Sequence, residues 1–353
     1  MKMLSYILIG CFLTSCSSLK KDNEPKSPDV VSEEVKTQLS VYRPLLKAQA
    51  DKHGLMVMGG SIGDSALFSC LALAAGAAEF NPAVLFTEDG RPLRHPDIYD
   101  SAPSPGEPDY EQGKFTTISK DMVNGLLVCL HTYGKTHPTE ARDLIEKMIR
   151  YGRSHKDKDL WKFCTDEDRV KYNISAERWY GRCVMTPAIT KDTYRIAIKL
   201  GWFCDTDCQI VMATTGTNIP TDNTGFERHL AVMTTTRNGL VDGAINDNSL
   251  KIVLENAALS QPRNAFYQAS YHLFGDGDQT AAYAALQDES LFPKDALPTA
   301  ANYCSDFLFQ RDDDSQSGRA SPDWSPCGDG SEGSEGRGIE WVFAAALALG
   351  EFR

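Results

Sequence analysis

Positive charge is in short supply in this 353-residue chain. Its 36 lysines and arginines stand against 48 aspartates and glutamates, a formal net charge of −12. An acidic surface repels phosphate backbones, so nucleic acid is not an expected partner, and a polybasic membrane patch is not expected either. Long apolar runs are missing too. No stretch after the first sixteen residues approaches the roughly 18 continuous apolar residues of a membrane-spanning helix. Sustained apolar–polar alternation is absent, which argues against sheets, and no fixed-period repeat is visible, which argues against a solenoid. Histidine is sparse, at seven residues, with no H-E-x-x-H pair. Asp276-Gly277-Asp278 lacks the remaining ligands of a calcium loop, and Cys204 and Cys208 have no second Cys or His pair nearby. Gly134-Lys135-Thr136 ends like a P-loop but has Cys129 where the first glycine belongs. Neither a metal nor a cofactor is expected.

What is present begins at the first residue. Lys2 supplies a short positive region, Met3 to Leu13 is mostly apolar, and Leu13-Thr14-Ser15-Cys16 follows. The apolar run is too short to span a bilayer and has the layout of a removable leader. Charge, run, small residues and cysteine in this register resemble the lipobox of bacterial lipoproteins. The resemblance implies cleavage before Cys16, lipidation of its thiol, and a membrane partner reached through that lipid. Each buried methylene contributes about 0.8 kcal/mol, so several acyl chains hold a protein stably. In that family a residue other than Asp after the cysteine, here Ser17, goes with sorting to the outer membrane, facing the periplasm or the cell surface. The expected organisation is a leader over 1–15, a lipidated cysteine and polar, Pro-broken tether over 16–31, and one globular domain over 32–353.

Eight cysteines remain beyond Cys16, an even number in an exported chain. Cys164 with Cys183, Cys204 with Cys208, and Cys304 with Cys327 lie close in sequence and near breaks, and are expected as local disulfides. Cys70 and Cys129 sit in apolar helical patterns and read as core thiols.

Helical periodicity dominates the rest. Ser32 reads as an N-cap, Val35, Leu39, Tyr42, Leu45 and Leu46 as one apolar face, and Gly54 as the stop. Asp64 to Ala78 reads as a buried helix. Ser119 begins another, ending at Gly134, and Pro138 opens the next, with Gly152 after it. Short helices follow near 191–200, 207–214, 226–237, 247–259, 263–274 and 278–287, with Gly201, Gly239 and Gly275 just past helix ends. A last helix carries Ile339, Val342, Phe343, Ala346 and Leu347 inward. The fold class expected is all-α, a single multi-helix domain of (α/α)-toroid type, with two long ordered loops over 80–114 and 311–338 that converge at one mouth. In layout only, this resembles the (α/α)-toroid glycoside hydrolases and polysaccharide lyases.

Two short motifs compete for Ser61. Gly59-Gly60-Ser61-Ile62-Gly63 matches the G-x-S-x-G elbow, but too little chain precedes it for the sheet that the elbow needs. Ser61 three before Asp64 is also the spacing of a capping box, the simpler role. Gly63-Asp64-Ser65-Ala66-Leu67 resembles the block of GDSL-type esterases, whose late Asp-x-x-His has no counterpart here. The more informative pattern is dispersed: Glu88, Arg91, Arg94 and His95 in the first loop, Lys120 and Asp121 at a helix start, Asp323 and Trp324 in the second loop, and Glu340 before Trp341. Carboxylates, cations and aromatic rings are the materials of a sugar site. Asp121 and Asp64, at helix N-termini, stay ionised and suit a base or nucleophile. Glu340, beside Trp341, suits a general acid. Arg91 and Lys120 are expected to orient polysaccharide and Trp324 to stack on it. The expected activity is hydrolysis or lyase chemistry on polysaccharide; the alternative is an envelope lipoprotein that binds glycan or protein without catalysis.

Overall fold

A computed structural model describes residues 28–57, 62–98, 118–171, 183–214, 219, 221, 225–288 and 338–352. Helix α1 spans Pro28–Lys47 and buries Val35, Leu39, Tyr42 and Leu46, one turn apart along a single face. It starts four residues before Ser32, inside the stretch read as tether. Pro28 has a φ suited to a first turn and Asp29 complements the N-terminal dipole, so the cap falls earlier. Leu45, expected inward, is exposed, and the helix stops at Lys47, well before Gly54.

Helix α2 (Ser65–Ala74) follows, then a 3₁₀ turn (Pro82–Leu85), α3 (Lys120–Gly134) and α4 (Pro138–Ser154). A two-stranded antiparallel hairpin, β1 (Lys156–Asp157) and β2 (Leu160–Trp161), leads to α5 (Asp166–Lys171). The remaining elements are α6 (Pro187–Lys199), α7 (Thr206–Thr214), α8 (Gly225–Asp242), α9 (Asn248–Ser260), α10 (Ala265–Phe274), α11 (Gln279–Leu286) and α12 (Ile339–Leu349). The described residues are mainly helical, as the periodicity predicts. Among them, no helix is long and apolar enough to cross a membrane.

Two glycines read as stops lie inside helices instead. Gly152 is within α4 and Gly239 within α8; a Cβ at either would stand 2.5–2.6 Å from the ring of Trp161 or Phe274 respectively. They are clearances for aromatic rings, a tertiary demand that local sequence does not carry.

Helices α2 and α12 are mostly apolar on every face and buried along nearly their whole length, as inner elements must be. The packing runs from α2 to α3, α3 to α8, α8 to α10, α10 to α12, and α12 back to α2. These helices share one direction. Gly125 of α3 approaches Leu67 of α2, and further along Cys129 is bonded to Cys70. Asn124 meets Thr234 of α8, and Thr236 and Gly239 of α8 meet Ser270 and Phe274 of α10. At the far end Arg43 donates both to the Ala75 carbonyl, past α2, and to Glu351, past α12. The N-termini of these helices therefore point to one end of the molecule. Amphipathic helices flank them: α4 on α3, α9 on α8 and α10, and α1 on α12.

The disulfides Cys164–Cys183 and Cys204–Cys208 form as their spacing predicts. Cys70 and Cys129, read as core thiols, are instead bonded to each other across the α2–α3 contact. Cys304 and Cys327 lie outside the described residues.

Candidate functional site

Asp64 precedes α2, Asp121 lies in the first turn of α3, and Glu340 lies in the first turn of α12. Because α2 packs on both α3 and α12, three carboxylates that are 57 and 219 positions apart along the chain belong to neighbouring helix starts at one end.

Asp64 occupies the N-cap position, yet its side chain makes no capping bond. Its Oδ1 instead accepts from Arg94 Nη1 at 3.1 Å. The same Nη1 donates to the Gly63 carbonyl at 2.7 Å, and Nη2 donates to Ser119 Oγ at 3.2 Å. Ser119 likewise caps nothing in its own helix. One guanidinium thus joins the starts of α2 and α3, using the planar fork that suits several fixed acceptors. Ser61, the residue common to the two short motifs, lies outside the described residues.

Asp121 is 7% exposed, and its Oδ1 is buried with no hydrogen-bond partner among the described residues. A carboxylate in the first turn of a helix is favoured by the dipole, and a buried acceptor without a partner still has a hydrogen bond to make. Lys120 stands beside it. Burial holds its ammonium below the usual lysine range, and Asp121 and Glu227 oppose that shift. Glu227 brings the first turn of α8 to the same end.

Glu340 is 1% exposed on a helix otherwise apolar. Trp341 is core: its ring meets Tyr42 at 5.1 Å between centroids, and its Nε1 donates to the Leu286 carbonyl at 2.8 Å. Arg91 sits in a turn whose Thr87 amide donates to the Arg91 carbonyl at 2.9 Å, and Gly90 in that turn lies against the Lys147 backbone of α4. Arg94, three residues on, is the guanidinium that reaches Asp64. Trp324 and Cys16 lie outside the described residues.

Two groups at this end carry no signal in the linear sequence. His229, in the second turn of α8, is fully buried with its ring 6.4 Å from that of Phe266. Tyr267, in the first turn of α10, is fully buried, and burial holds its phenol well above the usual tyrosine range, partly opposed by Arg228. Their shared trait is position, within two turns of a helix start, and it becomes meaningful only once those starts are known to gather.

Below the carboxylates a charged network crosses the core. Arg237 of α8 pairs with Asp192 of α6 and donates to Asn124 Oδ1 of α3, and Asn124 Nδ2 donates to Thr234 Oγ1 at 3.3 Å. It fixes α3 against α6 and α8 one turn beneath Asp121. Among the described residues, no group of three His, Cys, Asp or Glu is placed to hold a metal ion.

No family model, no curated protein and no solved structure matches the chain.

Proposed function

We propose that the inner helices form an (α/α) toroid, and that the end where their N-termini gather is a carbohydrate-processing site in a lipid-anchored envelope protein. The observation that carries the reading is the gathering of Asp64, Asp121 and Glu340 at the starts of α2 and of the two helices that pack on it. Glycoside cleavage needs two carboxyl groups in opposite states. One protonates the leaving oxygen while the other activates water or attacks the sugar. Asp121, in the first turn of α3 where the helix dipole favours a carboxylate, suits the ionised role, and Asp64, tied to Arg94, suits a supporting one. Glu340, almost fully buried in the first turn of α12, suits the proton donor. Lys120 offers a cation beside Asp121 for sugar hydroxyls.

A screen against bacterial-envelope and host polysaccharides, with reducing-end release as the readout, provides the activity. Asp121→Asn then lowers turnover by roughly 100-fold or more, the usual weight of a positioned acid or base, with the melting temperature nearly unchanged. Lost stability with turnover spared makes Asp121 a helix cap and removes the catalytic reading. Glycan binding without cleavage supports the non-catalytic alternative. Anchoring has its own test: Cys16→Ser abolishes palmitate labelling and membrane fractionation.

A further inference from the structure

Arg94 opens a short strap, residues 94–98, and the strap is fastened by two tripeptides of opposite order, Asp51-Lys52-His53 and His95-Pro96-Asp97. They pair reciprocally. His95 Nε2 lies 2.9 Å from Asp51 Oδ2, and His53 Nε2 lies 3.1 Å from Asp97 Oδ1. The two rings meet edge to face at 5.5 Å. The Asp97 amide donates to His95 Nδ1 at 3.1 Å, so the ring proton sits on Nε2 and is donated to Asp51. Asp51 is itself fixed, because its Oδ1 accepts the His53 and Leu55 amides at 2.8 Å each. Lys52 adds an ion pair to Asp97 at 2.7 Å.

The strap therefore has little freedom, and it delivers Arg94 to one place. The Arg94 side chain is 2% exposed while that of Asp64 is 25% exposed. The guanidinium is enclosed, while the carboxylate it holds stays partly exposed. We infer that Arg94 is the positioning residue of this site: it fixes the Asp64 carboxylate against the start of α3, and the reciprocal His–Asp pairs fix Arg94. The inference rests on the carbohydrate-site reading above. Lysine keeps the charge but lacks the fork that serves Gly63, Asp64 and Ser119 together.

The test uses the full chain and Arg94→Lys, with Arg94→Met beside it. Water-soluble carbodiimide with glycine ethyl ester, followed by peptide mass spectrometry, reads the accessibility of each carboxylate. Asp64 should label several-fold faster in Arg94→Lys, while the exposed Glu33 and Asp143 label as before. On the polysaccharide found by the screen, kcat should fall on the order of 100-fold with KM within about twofold, the mark of misplacement rather than lost binding. Arg94→Met should lose at least as much; if it fails to fold, Arg94→Lys decides. Unchanged Asp64 labelling in Arg94→Lys overturns the inference. So does an unchanged kcat in that variant when Asp121→Asn abolishes turnover, and in that case the site reading stands. If both variants turn over like the parent, the carbohydrate reading fails, and the labelling alone decides whether Arg94 orients Asp64.

Discussion

Arg237 and Asp192 form an ion pair inside the protein, the guanidinium completely enclosed. Burial holds the Arg237 pKa below the usual arginine range, and Asp192 opposes that shift. A buried pair contributes little over an apolar replacement, but breaking it strands a charge. Arg237→Met should therefore destabilise the protein by about 3–5 kcal/mol, and Arg237→Met with Asp192→Leu should recover much of that. Urea denaturation of the two single variants and the double variant measures the coupling; strictly additive losses would show that the pair is not an energetic unit.

Asp51 links stability to acid. Burial raises its pKa, but the Leu55 amide, His95 and the His53 amide lower it further, so the net direction is down. A carboxylate whose folded pKa lies below its unfolded value adds stability above the unfolded value and loses it as pH falls through the folded one. Asp51→Asn should thus be less stable than the parent at neutral pH, and the gap should narrow below about pH 4, the ordinary Asp range. Denaturation curves taken down the pH scale give the gap directly, and a gap that widens in acid would contradict the assignment.

His131 works in the same direction as Asp51, at higher pH. Burial first, then Lys135 and Lys199, push its pKa down to about 4, against a hydrogen bond to the Leu240 carbonyl. The unfolded chain binds a proton there near pH 6.5 and the folded chain does not until about pH 4. Stability carried by this group is full above the unfolded value and falls between the two. Replacing His131 with Gln should flatten that part of the stability–pH curve. An NMR titration of the ring should show no protonation at pH 6.

The disulfides should differ in weight. In the chain-entropy account, closing the 59-residue separation between Cys70 and Cys129 is worth about 4 kcal/mol, and a four-residue closure such as Cys204–Cys208 about 2 kcal/mol. Paired Cys→Ala variants compared in urea should keep that order. Equal losses would point to packing, not chain entropy, as the source.

Helix starts and apolar faces were readable because they are local. Val35, Leu39, Tyr42 and Leu46 recur at one-turn spacing, and Ser119 precedes a helix start. The two short-range disulfides were readable for the same reason. The Cys70–Cys129 bond was not, since each cysteine sits in an apolar helix and only the α2–α3 contact brings them together. The roles of Gly152 and Gly239 depend on rings contributed from elsewhere. At the site, Asp64 and Asp121 could be named from their positions at helix starts, and Glu340 from the Trp341 beside it. The part of Arg94 could not, because its partners Gly63, Asp64 and Ser119 lie 25–31 residues away.

The Cys70–Cys129 bond also closes a covalent ring around everything between those residues, including the strap and the turn that carries Arg91. A protease that cuts once anywhere inside that ring opens the backbone without releasing either piece. Nicked protein would still run as one band until a reductant is added. In an oxidising compartment shared with proteases, Arg94 and its clasp would stay attached to α2 and α3 after the first cut.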